Sequence, residues 1–176
     1  MRRTSLIVIT LTALTAGCAN DTDAPADGEF LTAPAFSNAP VGRWQSHATG
    51  SEEVPAVDTR AQGQANFWLS SDGSELHYRL NVANIEDVVQ SHIHMAPAGV
   101  SGPIVVWLYP PAPPSQLIPG RFQGVLEAGV ITEANLMGPL AGMTLDALLD
   151  AIRSGNAYVN VHTLAHPPGE IRGQVH

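Results

Sequence analysis

Apolar and polar positions alternate with a period of two over much of this chain. Ala65-Asn66-Phe67-Trp68-Leu69 alternates, and so do Leu76, Tyr78, Leu80 and Val82, interleaved with His77, Arg79 and Asn81. That period turns one face to a core and the other to water, and Ser71-Asp72-Gly73-Ser74 supplies turn chemistry between the two runs, so the pattern predicts a β-hairpin. Val88 to His94 predicts a third strand. Ile104 to Tyr109 predicts a fourth, its unbroken apolar run suited to burial on both faces. A loop, Ala96 to Pro103, separates those two. Pro110-Pro111-Ala112-Pro113-Pro114 must interrupt any sheet, and Arg121 to Glu127, with glycines on either side, predicts another strand. Tyr158 to Thr163 and Ile171 to Val175 are two late strands joined by the turn His166-Pro167-Pro168-Gly169.

A period of 3.6 shows in one place. In Thr144 to Gly155 the residues Leu145, Leu148, Leu149 and Ile152 fall at i, i+3, i+4 and i+7, which predicts a short helix with Thr144 as N-cap and Gly155 as terminator. Six or more short strands with turn-rich joints and one helix give an all-β class: an antiparallel β-sandwich or barrel with one short helix. Sixteen glycines, 14 prolines and only 14% charged residues agree with a turn-rich β fold, and 176 residues hold one domain plus a leader.

The first 18 residues carry a different pattern. Met1-Arg2-Arg3, an apolar run from Leu6 to Leu14 broken only by Thr, and Thr15-Ala16-Gly17-Cys18 form a positive region, a short apolar region and a small-residue cleavage site. The apolar run is too short for a bilayer core of about 30 Å, so a signal peptide is expected rather than a permanent span. The chain's one cysteine, Cys18, follows the small residues where this segment resembles a lipoprotein signal. That resemblance implies lipidation of Cys18 and a membrane anchor; the competing reading is an ordinary secretory signal with an incidental cysteine. Thr15 stands where such signals more often carry Leu. Ala19 rather than Asp after the cysteine implies, by the same resemblance, export to the outer membrane or periplasm of a Gram-negative envelope, though Asp21 is nearby. A lipidated Cys18 leaves no thiol for a disulfide or a nucleophile. Residues 19–42, rich in Ala, Asp, Pro, Thr and Asn, read as a flexible tether, and residues 43–176 as the folded domain.

The net charge of −8 disfavours nucleic acid as a partner, since phosphate binding needs Lys and Arg. The candidate chemistry lies in histidines. His92 and His94, two apart in a predicted strand, leave one face about 6 to 7 Å apart at Cα, and two imidazoles so placed can reach one ion. His162, on another strand with Asn160 and Tyr158 on its own face, is a candidate third ligand. His166 in the following turn and Met95 beside His94 are possible accessory ligands. Neutral imidazole suits copper and zinc alike, with affinity falling below pH about 6.5, whereas a hydrogen-bonded structural histidine pair is the alternative. His47, His77 and His176 read as solvated. Glu53, Glu170 and Arg172 sit in compact turns or on a late strand and read as structural polar groups, the carboxylates accepting backbone or arginine hydrogen bonds. No Gly-x-Ser-x-Gly elbow, phosphate loop or dinucleotide fingerprint occurs, so no nucleophile or acid–base pair can be named and an enzyme is not the expectation.

Five strings occur together and in order: Glu53-Val54-Pro55, Ser91-His92-Ile93-His94, Gly102-Pro103-Ile104-Val105-Val106, Gly155 through Thr163, and Pro168-Gly169-Glu170-Ile171-Arg172-Gly173. Together they resemble the CHRD domain, named for the repeats of chordin and found in microbial secreted proteins. The resemblance implies an extracytoplasmic Greek-key or immunoglobulin-like β-domain with family-typical histidines at His92, His94 and His162, and it implies no settled biochemical activity. Two positions depart from the family: Met95-Ala96-Pro97 lacks a glycine often placed there, and Ala56 stands where a second proline is usual. A looser likeness to copper/zinc superoxide dismutases rests on a His-x-His strand alone, without their disulfide or fuller histidine set. Two functions follow: a binding module with a copper or zinc site, or a metal-free module for a protein or glycan partner in the cell envelope.

Overall fold

The computed structural model describes residues 42–176. The signal segment, Cys18 and the tether up to residue 41 lie outside the described residues. Seven strands follow in order: β1 (Arg43–Thr49), β2 (Gln62–Leu69), β3 (Leu76–Met95), β4 (Ile104–Tyr109), β5 (Ile118–Ile131), β6 (Ala157–Thr163) and β7 (Ile171–Gln174). One helix, α1 (Leu145–Arg153), precedes β6. No helix among the described residues is long and apolar enough to cross a membrane.

Every strand pairing is antiparallel, and five strands close on themselves: β1 pairs β2, β2 pairs β3, β3 pairs β6, β6 pairs β7 and β7 returns to β1. The all-β, one-helix expectation therefore takes the form of a small closed barrel, which leaves those five strands no free edge at the seam. The seam is tight. Gln45 and His176 exchange backbone hydrogen bonds of 2.8 and 2.9 Å, and Ser46 Oγ donates to the Gly173 carbonyl at 2.7 Å. A Cβ on Gly173 would lie 2.3 Å from the His47 carbonyl oxygen, so only glycine lets β7 approach β1.

β3 is the organising strand and differs from expectation, because Leu76–Val82 and Val88–His94 are one 20-residue strand rather than two. Its bend lies at Asn84 and Asp87, both with left-handed φ (54° and 51°), where the register slips against β5. Asn and Asp tolerate that conformation, and here they produce bulges instead of a chain reversal. Asp87 Oδ1 accepts the Gly120 N–H at 2.7 Å and Asn84 Oδ1 accepts from Arg121 at 2.6 Å. Beyond the bend β3 exchanges the neighbours β2 and β5 for β6 and β4.

Cross-strand partners share a face, which sorts the second half of the barrel into two layers. Ile93 stands beside Val159 and Gly173, and Ser91 beside Val161 and Ile171; these line the interior with Ala48, Ala65 and Phe67. His92 stands beside Asn160 and Arg172, and His94 beside Tyr158 and Gln174, on the opposite face. The helix stripe Leu145, Leu148, Leu149 and Ile152 packs into the apolar core as its period predicts, and Gly155 (φ 71°) ends the segment. β4 lies beside β3 alone within the sheet, yet is buried, the Met137 N–H bonding to the Val105 carbonyl at 3.0 Å on its far side.

Candidate metal centre

His92, His94 and His162 converge on the outer face of the barrel. One ring nitrogen from each lies within 4.8 Å of the others. All three are buried, at 0%, 9% and 5% exposure respectively, although they point away from the apolar interior. Their cover comes from four directions. Trp107 of β4 sets its ring edge-on to His92 (centroids 4.3 Å, 86°), and Tyr158 of β6 stacks on His94 (4.9 Å, 10°). The loop Ala96–Pro103 crosses above His94, and Pro167 closes over His162.

Hydrogen bonds fix the tautomers. A carbonyl only accepts, so His94 Nδ1–H donates to Gly102 O (2.9 Å) and His162 Nδ1–H donates to Pro167 O (2.9 Å). His162 Nε2 then bears a lone pair, and His92 Nδ1–H donates to it at 3.1 Å. All three rings are thereby neutral, with lone pairs on all three Nε2 atoms. His92 Nε2 and His94 Nε2 are buried without a partner. Burial keeps the rings neutral well below the usual imidazole range: desolvation and then the neighbouring His162 and His94 bring His92 to about 3. Desolvation brings His94 to about 4 despite its bond to Gly102, with His162 and Arg172 adding to the depression. His162 is lowered too, by burial.

A polar frame surrounds the cluster. The Arg172 guanidinium lies 3.5 Å over the Tyr158 ring on β6, and its Nη2 donates to Pro97 O (3.1 Å) and Val100 O (2.9 Å), tying the covering loop to β7. Tyr158 Oη accepts the Gly102 N–H at 3.1 Å. Gly102 itself admits no side chain, since a Cβ there would sit 2.1 Å from the Met95 carbonyl oxygen. Glu53, delivered by the 3-10 turn Gly50–Glu52, accepts from the Asn160 side chain, and burial raises its carboxyl to about 7 against the lowering effects of Arg172 and Asn160. Glu170 accepts from the hydroxyls of Thr59 (2.7 Å) and Thr163 (2.8 Å). Besides that amide and those two hydroxyls, Glu53 has a backbone partner in Val54 and the Arg172 charge nearby, while the Arg172 guanidinium itself donates to loop carbonyls.

The two accessory candidates stand apart from the cluster. Met95 follows His94, so strand alternation turns it to the other face, where it packs against the apolar core. His166 contributes its backbone to the turn, its N–H bonding to Thr163 Oγ1 at 3.2 Å. His47 and His176 are exposed, and His77 stacks on Trp68 beside Glu75, in keeping with a solvated reading. Trp107, Gly102 and Pro167 were given no role at the site from sequence. Gly102 stood in the predicted loop and at the head of a family string, Pro167 in a predicted turn, and Trp107 in a segment read only as an apolar strand.

The sequence model of the CHRD domain matches residues 44–175. The chain belongs to the CHRD family. No curated protein and no solved structure matches it. The match spans the whole barrel, so the three histidines, Arg172 and the covering loop all lie inside the CHRD domain.

The donor set fits a transition metal. Nitrogens bound at about 2.0–2.1 Å stand about 3.3–3.6 Å apart, and one ring nitrogen from each of the three histidines already lies within 4.8 Å of the others. In addition, metal-binding imidazoles characteristically donate their second nitrogen to a carbonyl or carboxylate, as His94 and His162 do here.

Proposed function

We propose that this chain is an exported, lipid-anchored CHRD binding module whose His92, His94 and His162 hold one copper or zinc ion. The observation that carries the reading is the pair of buried, unpartnered Nε2 atoms on His92 and His94, beside a third imidazole whose tautomer is set from behind. A buried polar atom without a partner costs about 1–3 kcal/mol, and an ion binding at these nitrogens offsets that cost. When bound, copper supplies a one-electron redox centre, and zinc a Lewis acid. Gly102 and Pro167 orient the rings, Trp107 and Tyr158 exclude water, and Arg172 holds the cover closed. Export and anchoring rest on the signal-like segment and on Cys18 in the position of a lipidated cysteine.

Titration calorimetry of Cu(II) and of Zn(II) into the metal-stripped protein tests the site. One-to-one binding at neutral pH, abolished in His92→Ala and in His94→Ala, is expected. A wild-type protein that binds neither ion overturns the metal reading. The His92–His162 hydrogen bond favours the second reading, a metal-free interaction module with a structural histidine cluster. In that case the same variants lose stability and no ion ever binds.

A further inference from the structure

The outer face of the barrel's first half has a character of its own. Across β1, β2 and β3 the register sets Arg43 beside Trp68 and His77, and Gln45 beside Asn66 and Arg79. One repeat further, His47, Gln64 and Asn81 form a third row. Rows on one face recur about every 6.8 Å, on the scale of a sugar residue. The intervening residues, Ser46, Ala65, Phe67, Tyr78 and Leu80, are buried, so these rows face outward.

Three observations point to one occupant. The chain carries 16 acidic residues against 8 basic ones, yet none of the three rows contains an acid; Glu75, in the preceding turn, touches only the rim at 3.1 Å from His77. Arg43 and Arg79 are exposed and make no side-chain hydrogen bond or ion pair among the described residues. One indole stands on the face: Trp68, whose ring lies parallel to that of His77 (5.6 Å, 9°), beside a concavity of about 690 Å³ bounded by Arg43, Gln45, Asn66 and His176 and floored in part by the inward Trp44. A second concavity of about 220 Å³ opens beside His47, Gln64 and Asn81. Flat aromatic faces accept the C–H faces of pyranose rings, side-chain amides bond their hydroxyls, and free guanidiniums pair bidentately with carboxylates.

We propose that the outer face of β1, β2 and β3 binds an acidic polysaccharide, with a sugar ring against Trp68 and carboxylates on Arg43 and Arg79. This surface lies on the half of β3 before the bend, and the histidine cluster on the half after it, so binding there is independent of any metal.

Affinity electrophoresis of the full chain in non-ionic detergent tests the proposal, with polygalacturonate in one gel, dextran in a second and duplex DNA in a third. Polygalacturonate is expected to retard the protein, and dextran and DNA are not. Arg79→Gln and Arg43→Gln, both at exposed positions, should each weaken retardation several-fold, Trp68→Ala at least ten-fold, and the exposed Arg60→Gln, outside the three rows, not at all. Absence of retardation by polygalacturonate overturns the proposal, as does equal retardation of the two arginine variants. Equal retardation by dextran removes the role of charge, and equal retardation by DNA reduces the effect to unspecific polyanion attraction; either result overturns it as well.

Discussion

The buried histidines make the metal-free protein sensitive to mild acid, and Glu53 partly opposes them. In the unfolded chain an imidazole titrates near 6.5, whereas in the folded barrel His92 titrates at about 3 and His94 at about 4. Between pH 6.5 and 4.5 the unfolded chain therefore gains a proton at each ring that the folded chain refuses, and stability falls as pH falls. Each ring removes at most about 1.4 kcal/mol per pH unit, so with the unfolded imidazole already half protonated at pH 6.5 the pair removes roughly 4 kcal/mol over the window. His162, lowered as well, acts in the same direction.

Glu53 has the opposite sign. Its folded value, about 7, lies above that of a free carboxyl, so over the same window the folded protein holds a proton that the unfolded chain largely lacks. That returns roughly 2 kcal/mol, leaving a net loss of roughly 2 kcal/mol before His162 is counted. Against a typical domain stability of 5–15 kcal/mol this is a large share. Urea unfolding midpoints in EDTA at pH 7, 6.5, 5.5 and 4.5 measure it directly. Glu53→Gln keeps an oxygen for Asn160 and removes the opposing titration, so its loss from pH 6.5 to 4.5 should be about twice that of the wild type. A wild-type stability that is flat or rises on acidification would refute the reasoning, and so would a Glu53→Gln slope no steeper than the parent.

Metal affinity of the folded protein should fall less between pH 7 and 5.5 by calorimetry than that of free imidazole ligands, because His92 and His94, titrating near 3 and 4, hold almost no protons there and burial lowers His162 as well. Zinc or copper at 100 times its dissociation constant should add about 2.7 kcal/mol to the unfolding free energy, read from urea midpoints with and without EDTA. Arg172→Met should cost about 2–4 kcal/mol, since Pro97 O and Val100 O lose a charged donor, and should speed amide exchange at Val100 and Gly102. Gly169→Ala should cost about 1–3 kcal/mol by thermal unfolding, because φ there is 139° and a Cβ would meet Asn160 Nδ2 at 2.4 Å.

The elements legible in the sequence are those whose side chains alternate strongly in hydrophobicity. The hairpin β2–β3 pairs Leu69 with Leu76 around the expected turn, and α1 follows its leucine stripe. β1 was missed because its inward positions, Trp44, Ser46 and Ala48, are mostly small: the wall of a narrow barrel needs little volume there. The segment Asn84 to Asp87 reads as a break because its residues favour turns, and only the pairing with β5 and β6 shows that β3 bends through it. His92, His94 and His162 could be named from spacing and family resemblance. Their convergence could not, because the register sets Asn160, not His162, opposite His92, and the meeting of the rings is diagonal.

What distinguishes a ligand cluster from a structural one is the economy of hydrogen bonds. A structural histidine pair can satisfy both nitrogens of each ring, and a buried site that leaves two of them bare accepts a free-energy cost with no compensation in the empty state. Here the backs of His94 and His162 are bonded to carbonyls while the inward nitrogens of His92 and His94 have nothing to bond. The same burial that leaves them bare keeps them unprotonated to about pH 4, which is the state a metal requires. Orientation from behind, lone pairs in front and resistance to protonation are separate demands on the fold. A merely structural cluster would need only the first.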